Sequence, residues 1–183
     1  MGVSITFLGG TGTVTGSRYL VRHDGHALLV DCGLFQGYKQ LRLRNWTPLP
    51  VAPNDIEAVL LTHAHLDHSG YLPLLAREGF AGKVYATAGT RDLCRILLPD
   101  SGHIQEEDAA FANKHGFSKH APALPLYTRQ DALDCLPLIK ATELGKTFSP
   151  IKGWKATFSS AGHILGAASL LLEVAGRRIL FSG

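Results

Sequence analysis

THAHLDHSG, residues 62–70, is the stretch that decides the fold of this chain. It places three imidazoles and one carboxylate within six consecutive positions, directly after an apolar run that predicts a buried strand over residues 58–62. Crowded histidines repel one another when they are protonated, so packing alone does not favour such a cluster. Neutral imidazole nitrogen and carboxylate oxygen are ligands that Zn²⁺ accepts in sites with an open position for water. The stretch therefore predicts a metal site rather than a polar loop with coincidental histidines.

The spacing within this stretch suggests two metals. In an extended segment His63 and His65 point to the same side, whereas a turn through Leu66 lets Asp67 and His68 face a second point. The helical zinc motif HExxH does not occur in the sequence.

Outward from the histidines, the sequence predicts an α/β chain that opens with a β-meander. An Asp-Gly hairpin turn at residues 23–26 joins two of its strands. The chain shows no internal repeat and no flexible linker, so we predict a single domain over residues 1–183. The predicted strands cover residues 3–8, 18–22, 27–31, 58–62, 83–86, 155–159, 168–174 and 177–182, and the predicted helices cover residues 70–78, 90–98, 104–115 and 129–140.

Composition narrows the classes of protein further. With 45% hydrophobic and 18% charged residues, 183 residues are enough to bury the core of one globular domain. Three widely separated cysteines do not indicate a disulfide framework. The chain has no apolar run of about 20 residues and no signal peptide at its start, so we expect a cytoplasmic protein that does not cross a membrane. A net charge of +3 permits an RNA partner without arguing for one.

A glycine-rich segment, GGTGTVTGS at residues 9–17, raises the question of a phosphate-binding loop. Its glycines miss the dinucleotide-binding spacing, it lacks Gly-Lys-Ser/Thr, and a strand follows it where both phosphate-binding motifs need a helix. We therefore interpret it as a tight turn whose backbone lines a site.

The run His63-Ala64-His65-Leu66-Asp67-His68 resembles the HxHxDH signature of the metallo-β-lactamase superfamily. Asp31, at the end of an apolar strand, resembles the first motif of that family, an acid that supports the metal loop without binding metal. His163, in SAGHILGA, resembles the third motif, a ligand that arrives from a distant strand end. The resemblance implies an α/β fold of the αββα sandwich type.

The resemblance also implies a set of ligands and their roles. Asp67 contributes to catalysis as a metal ligand, and Asp31 does so by orienting the loop. The implied metal ligands are His63, His65 and His163 for one Zn²⁺, and Asp67 and His68 for a second.

Within the superfamily the sequence resembles the β-CASP branch of RNA-processing nucleases. The resemblance rests on TGSRYLV at residues 15–21, VDCGLFQG at 30–37, SAGHILGAAS at 160–169 and the stretch 97–132. It implies a zinc-dependent ribonuclease that hydrolyses phosphodiester bonds of single-stranded RNA through a metal-activated hydroxide. Two alternatives stay open, a hydrolase of small thioesters, lactones or β-lactams and a non-catalytic RNA-binding or assembly subunit. Endonucleolytic and exonucleolytic cleavage are equally compatible with the sequence.

The resemblance is to the N-terminal portion of that family, without the β-CASP domain and the C-terminal part. In the family the last predicted strand is followed by Gly-Asp, whose aspartate bridges the metals, and Gly183 matches the glycine. We therefore expect one well-bound metal, a weak second one and low activity. We also expect exposed apolar strand faces, which formation of a homo-oligomer would cover. These faces lie around Leu170, Leu171, Leu172 and Phe181.

Overall fold

Two β-sheets and a layer of helices make up the chain in a computed structural model that describes residues 2–183. The strands are β1 Ser4–Gly9, β2 Arg18–His23, β3 His26–Val30, β4 Ala58–Leu60, β5 Lys83–Thr87, β6 Ile139–Thr142, β7 Thr147–Phe148, β8 Lys155–Ser160, β9 Ala168–Val174 and β10 Arg177–Phe181. The α-helices are α1 Lys39–Leu43, α2 Leu66–Ser69, α3 Leu72–Arg77, α4 Ala88–His115 and α5 Arg129–Cys135, and 3₁₀ turns cover Arg44–Trp46, Pro53–Asp55 and Leu136–Leu138.

The first sheet has six strands in the order β1-β2-β3-β4-β5-β6. Its first three strands form the expected antiparallel meander, and β3 to β6 run parallel to one another. The second sheet is antiparallel, in the order β10-β9-β8-β7. The carboxyl ends of β3 and β4 therefore lie side by side. Asp31 directly follows β3, and the histidine-rich stretch follows β4.

Two hydrophobic cores hold the three layers together. Strand β3 contributes to both, because Leu28 and Val30 pack towards the second sheet while Leu29 packs towards the helices. A strand that is covered on both faces carries an almost continuous apolar sequence, which explains the run HALLV. The layered arrangement confirms the α/β fold class that the sequence predicts.

The expectation of exposed strand faces was wrong for part of β9. Leu170 and Leu172 are 0% exposed, because alternate residues of β9 point between the two sheets and pack there with Phe158 and Trp154. Leu171 and Phe181 are half-buried. The exposed apolar side chain in this region is instead Leu180 of β10.

Three of the predicted helices also had wrong boundaries. Residues 90–98 and 104–115 belong to one helix, α4, which continues through Pro99. Tertiary packing overrides the local preference, because Pro99 is buried and Gly102 lies so close to the backbone of Thr128 that a larger residue would not fit. The predicted helix 129–140 ends at Cys135, since the chain then returns to the sheet as β6.

None of the helices in the described residues combines the length and the apolar character that crossing a membrane requires.

Candidate metal centre

The loop between β4 and α2 carries His63 and His65, and its shape is fixed by local hydrogen bonds. The carbonyl of His65 accepts from the backbone N–H groups of His68 and Ser69 at 2.8 and 2.9 Å and so begins helix α2. The hydroxyl of Ser69 donates back to the carbonyls of Ala64 and His65. Hydrogen bonds within the loop and α2 therefore help to fix the backbone that carries these imidazoles.

Three histidines from two distant parts of the chain meet above this loop. The rings of His63, His65 and His163 lie 5.0 to 5.1 Å apart, centroid to centroid, with interplanar angles of 73 to 84°. One nitrogen from each ring lies within 4.8 Å of the other two. The exposure of the rings rises from buried His63 through half-buried His65 to exposed His163.

One pair of nitrogens in this cluster has the spacing of ligands in a tetrahedral zinc site. Zn–N bonds of about 2.0–2.1 Å in a tetrahedron place two ligand nitrogens roughly 3.4 Å apart. Nε2 of His163 lies 3.2 Å from Nδ1 of His65. Three imidazoles that share one small volume are a donor set that suits zinc and leaves its fourth position open.

Asp67 and His68 form a neighbouring pair of donors on α2. Nε2 of His68 lies 3.7 Å from Oδ2 of Asp67, and the ring of His68 lies 4.0 Å from the ring of His63. Both side chains are half-buried. The two sets of donors are therefore adjacent, as the spacing in the sequence predicts for two metals.

Asp31 lies beneath both donor sets and controls which ring nitrogens face the centre. Its Oδ2 lies 2.7 Å from Nδ1 of His68, so a proton on Nδ1 leaves the lone pair of Nε2 free for a metal. The Thr62 hydroxyl donates to the same carboxylate at 2.9 Å and lies 3.0 Å from Nδ1 of His63. Since that hydroxyl has a single proton, donating it to Asp31 makes Thr62 an acceptor for the proton on Nδ1 of His63. Asp31 thus orients His68 directly and His63 through Thr62.

The pKa values of His63 and His68 are shifted in opposite directions. Burial, followed by the charge of His68, lowers the pKa of His63 to about 4. Burial also lowers the pKa of His68, but the hydrogen bond and charge of Asp31 and the charge of Asp67 outweigh it, so the pKa of His68 is raised. His63 is therefore neutral near pH 7, which is the form that binds a metal.

The loop that carries His163 is anchored against the start of α4. The hydroxyls of Thr87 and Thr90 both donate to the carbonyl of Gly166. Gly166 has φ +78°, and a side chain there would overlap the backbone N–H of Thr90. The backbone N–H of Ala168 donates to the carbonyl of Thr62 at 2.9 Å, which joins this loop to the histidine-rich one. These contacts bring a residue 98 positions from His65 to within 3.2 Å of it.

A second backbone segment supports the metal loop from the side. The N–H groups of Ser17, Cys32 and Leu34 donate to the carbonyls of three consecutive residues of α2, directly after the loop, at 2.7 to 2.8 Å. Gly33 lies so close to the loop that a Cβ there would overlap the carbonyl oxygen of Asp67. The accepting carbonyls are those of Asp67, His68 and Leu66, in that order.

Arg18 stabilises the backbone around Gly33. It is 2% exposed, and its hydrogen-bond acceptors are neutral, the carbonyl of Gly33 at 2.7 Å and Oδ1 of Asn45 at 3.1 Å. Its guanidinium stacks on Tyr71 at 3.9 Å from the ring centre. Burial lowers the pKa of Arg18. The cation is therefore stabilised by carbonyl dipoles and aromatic faces.

The sequence-predicted site residues thus lie in one place. The structure brings the five predicted ligands and Asp31 together, whereas His103, in the similar context Gly-His-Ile, lies on α4 and faces Glu107. Sequence reasoning missed Thr62 and Arg18. The hydroxyl of Thr62 lies within the quoted stretch and is a signal that could have been used, whereas nothing in the sequence around Arg18 indicates that it is buried.

Comparison with known proteins agrees with this geometry. The sequence profile of the metallo-beta-lactamase superfamily matches residues 11–183, and the chain belongs to that superfamily. It is 36% identical over 170 residues to Ribonuclease TTHA0252 of Thermus thermophilus, covering 93% of this chain and 35% of the relative. It is 33% identical over 172 residues to Transcription termination factor FttA of Methanocaldococcus jannaschii, covering 94% of this chain and 25% of the relative.

A third similar relative is Endoribonuclease YSH1 of Gibberella zeae, which is 31% identical over 181 residues. The match covers 96% of this chain and 20% of that protein. The chain thus spans between a fifth and about a third of the length of these curated relatives.

Solved structures show the same fold. The metallo-beta-lactamase fold protein YhfI of Bacillus subtilis superposes with a TM-score of 0.57 at 15% identity, covering 99% of this chain and 63% of the other. BJP-1, a subclass B3 metallo-beta-lactamase of Bradyrhizobium japonicum, gives a TM-score of 0.55 at 19% identity, covering 97% and 58%. These matches confirm the metallo-β-lactamase fold.

Proposed function

We propose that this chain is the metal-binding part of a zinc-dependent ribonuclease of the β-CASP kind, which hydrolyses phosphodiester bonds in single-stranded RNA. The observation that carries the proposal is the convergence of His63, His65 and His163 beside the Asp67–His68 pair. The names of the most similar relatives, two of them ribonucleases, support RNA as the substrate. The proposal takes residues 1–183 as one domain.

The two donor sets would hold two metals of unequal affinity. His63, His65 and His163 would hold one Zn²⁺, and Asp67 and His68 would hold the other. When bound, zinc lowers the pKa of a water molecule to about 7 and polarises a phosphoryl oxygen. Three imidazoles approach the usual ligand count of a catalytic zinc site, whereas two donors do not. We therefore expect one tightly bound zinc and a second that is lost more easily.

The side chains around the metals prepare the site for this chemistry. Asp31 keeps the proton of His68 on Nδ1, and the hydroxyl of Thr62 does the same for His63. The exposed ring of His163 faces solvent, so the centre is open to a large substrate such as an RNA strand. The carboxylate of Asp67, beside the open side of His68, is placed to orient a water molecule by accepting its hydrogen bond.

The test is cleavage of an end-labelled single-stranded RNA by the 183-residue chain, with zinc and with EDTA. We expect slow cleavage that requires zinc and is lost in His63→Ala. His103→Ala is the matched control, because this histidine has a similar local sequence but lies outside the centre. Zinc-dependent hydrolysis of a chromogenic β-lactam, thioester or lactone without RNA cleavage would favour a small-molecule hydrolase. RNA binding without any EDTA-sensitive turnover would favour a non-catalytic subunit.

A further inference from the structure

A long groove runs across the helical side of the molecule, away from the histidines. It consists of two adjoining cavities of about 620 and 910 Å³. Leu66, the residue directly after His65, is among the residues that line one cavity, and Phe117 and His120 are among those that line the other. The two cavities share lining residues, so they form one continuous channel. The shared residues are Lys39, Leu43, Trp46, Ala123 and Leu124.

Positive charge predominates along this groove. Lys39, Arg42 and Lys119 line it and are exposed, whereas the carboxylate among its lining residues is Asp108. His120 adds an imidazole at the far end. A groove with this balance attracts a polyanion and disfavours close contact between two identical copies, since their cations would face each other.

Exposed aromatic rings lie on the same surface. Trp46 is 57% exposed and Phe117 is 63% exposed, although both are large apolar side chains. Phe117 belongs to a small aromatic cluster. Its ring centre lies 5.7 Å from that of Phe111 and 6.5 Å from that of His115. Cations interleaved with exposed rings are the pattern of surfaces that bind single-stranded nucleic acid by stacking its bases.

The wall of the groove is ordered before any ligand binds. Asn113, on α4, makes two hydrogen bonds to the backbone of Ala123. Its Nδ2 donates to the carbonyl of Ala123 at 3.0 Å, and its Oδ1 accepts from the N–H of Ala123 at 2.7 Å. Gly116 ends the helix in the left-handed conformation, with φ +66°, which turns the chain towards Phe117. A preformed wall reduces the entropy that is lost on binding.

We propose that this groove binds the single-stranded RNA that the proposed metal centre cleaves. The choice of RNA as the occupant rests on the proposed function, on the excess of cations and on the exposed rings. Bases stack on Trp46 and Phe117 while Lys39 and Lys119 contact phosphates. The groove lies entirely on residues of this chain.

Trp46 provides a direct probe of the groove. The sequence has two tryptophans, and the other, Trp154, is 2% exposed between the two sheets. We would titrate the chain with a ten-residue oligouridylate in EDTA and follow tryptophan fluorescence. We expect saturable quenching that is absent in Trp46→Phe. Affinity should fall with salt with a log–log slope of roughly −2, since each of three neutralised phosphates contributes about −0.7.

Variants separate the groove from the rest of the surface. Lys39→Ala combined with Lys119→Ala should weaken binding about tenfold and flatten the salt dependence, because two phosphate contacts are lost. Phe117→Ala should also weaken binding about tenfold, through lost stacking. Lys152→Ala is the matched control, because this exposed lysine lies before β8 on the second sheet. It should bind like the unchanged chain.

Three results would overturn the proposal. These are no quenching at millimolar oligonucleotide, equal weakening in Lys152→Ala, and a fluorescence change that follows protein concentration alone, which would indicate a second copy in the groove. Because the titration contains EDTA, binding is measured without metal-dependent cleavage. Binding without cleavage would then count against the proposed nuclease activity alone, and cleavage without binding in the groove would count against the groove alone.

Discussion

Replacing Asp31 by asparagine changes the chemistry of the metal centre while it leaves most of the structure in place. Asparagine tolerates the left-handed backbone of this position, where φ is +56°. Its side-chain oxygen can still accept from the backbone N–H of Thr62, which Asp31 does at 2.8 Å. The amide NH₂ group then faces Nδ1 of His68 in place of a carboxylate oxygen at 2.7 Å.

The consequence is a change of tautomer. An amide donor facing Nδ1 makes that nitrogen an acceptor, so the proton of neutral His68 moves to Nε2. Nε2 is the atom beside Asp67 and the one that would bind the second zinc. Loss of such a supporting carboxylate typically weakens metal binding by about 10–100-fold, or roughly 1.4–2.7 kcal/mol. The pKa of His68 should also fall, since the hydrogen bond and charge of Asp31 contribute more than Asp67 to raising it.

Stability should distinguish this effect from simple disruption. In EDTA, Asp31→Asn should lower the free energy of unfolding by less than about 1 kcal/mol, since it keeps the hydrogen bond to Thr62. Asp31→Ala leaves the buried N–H of Thr62 without its acceptor, at about 1–3 kcal/mol. We therefore expect a larger loss, of about 1–3 kcal/mol, for alanine.

The assay is competition for zinc against a chromophoric chelator, combined with urea unfolding in EDTA and with ¹⁵N chemical shifts of the His68 ring. The expected result is weakened binding of the second zinc and a proton on Nε2 in Asp31→Asn. Two zincs bound as tightly as in the unchanged chain would refute the tautomer argument. An asparagine variant as unstable as the alanine variant would show instead that Asp31 acts only through folding.

Three further predictions follow from the support of the loop and from its electrostatics. Gly33→Ala should cost about 1–3 kcal/mol or more of unfolding free energy and weaken zinc binding, because its Cβ would overlap the carbonyl oxygen of Asp67. Gly145→Ala is the control: it lies in open space at φ +74°, so it should cost only about 1–2 kcal/mol and leave zinc binding unchanged. Arg18→Lys should lower the free energy of unfolding in urea by about 1–3 kcal/mol, because lysine cannot keep both hydrogen bonds of the buried guanidinium. Arg44→Lys, at an exposed residue over the ring of Phe35, should lower it by less than about 0.5 kcal/mol, and equal losses would contradict the role assigned to Arg18. His63 has a pKa of about 4 in the folded chain, below its unfolded value, so the stability it contributes is present above about pH 6.5 and is lost as the pH falls towards 4. In EDTA, His63→Gln should therefore reduce the loss of unfolding free energy between pH 7 and pH 5 by about 1–2 kcal/mol. An unchanged pH dependence of stability would contradict this prediction.

Much of this molecule could be predicted from local patterns in the sequence. Donor atoms that lie close together in the chain, such as His63 and His65, need only a short ordered loop to face one point. The β-meander was predictable because an Asp-Gly turn fixes the pairing of its strands. The distant predicted ligand His163 was found through resemblance to a family, since its approach depends on contacts between Thr87, Thr90 and Gly166 that no local pattern reports.

The features that could not be predicted share a physical cause, which is competition between local preference and tertiary packing. Pro99 favours a break in α4 locally, but its burial and the close packing of Gly102 against Thr128 keep the helix continuous. Arg18 is a strand residue whose charge suggests a position in solvent, yet carbonyl oxygens and Tyr71 hold it in the interior. In both cases the deciding partner lies far along the chain. Four of the five predicted ligands therefore lie in one nine-residue stretch of sequence, whereas the contacts that set their tautomers and positions are seen only in the folded chain.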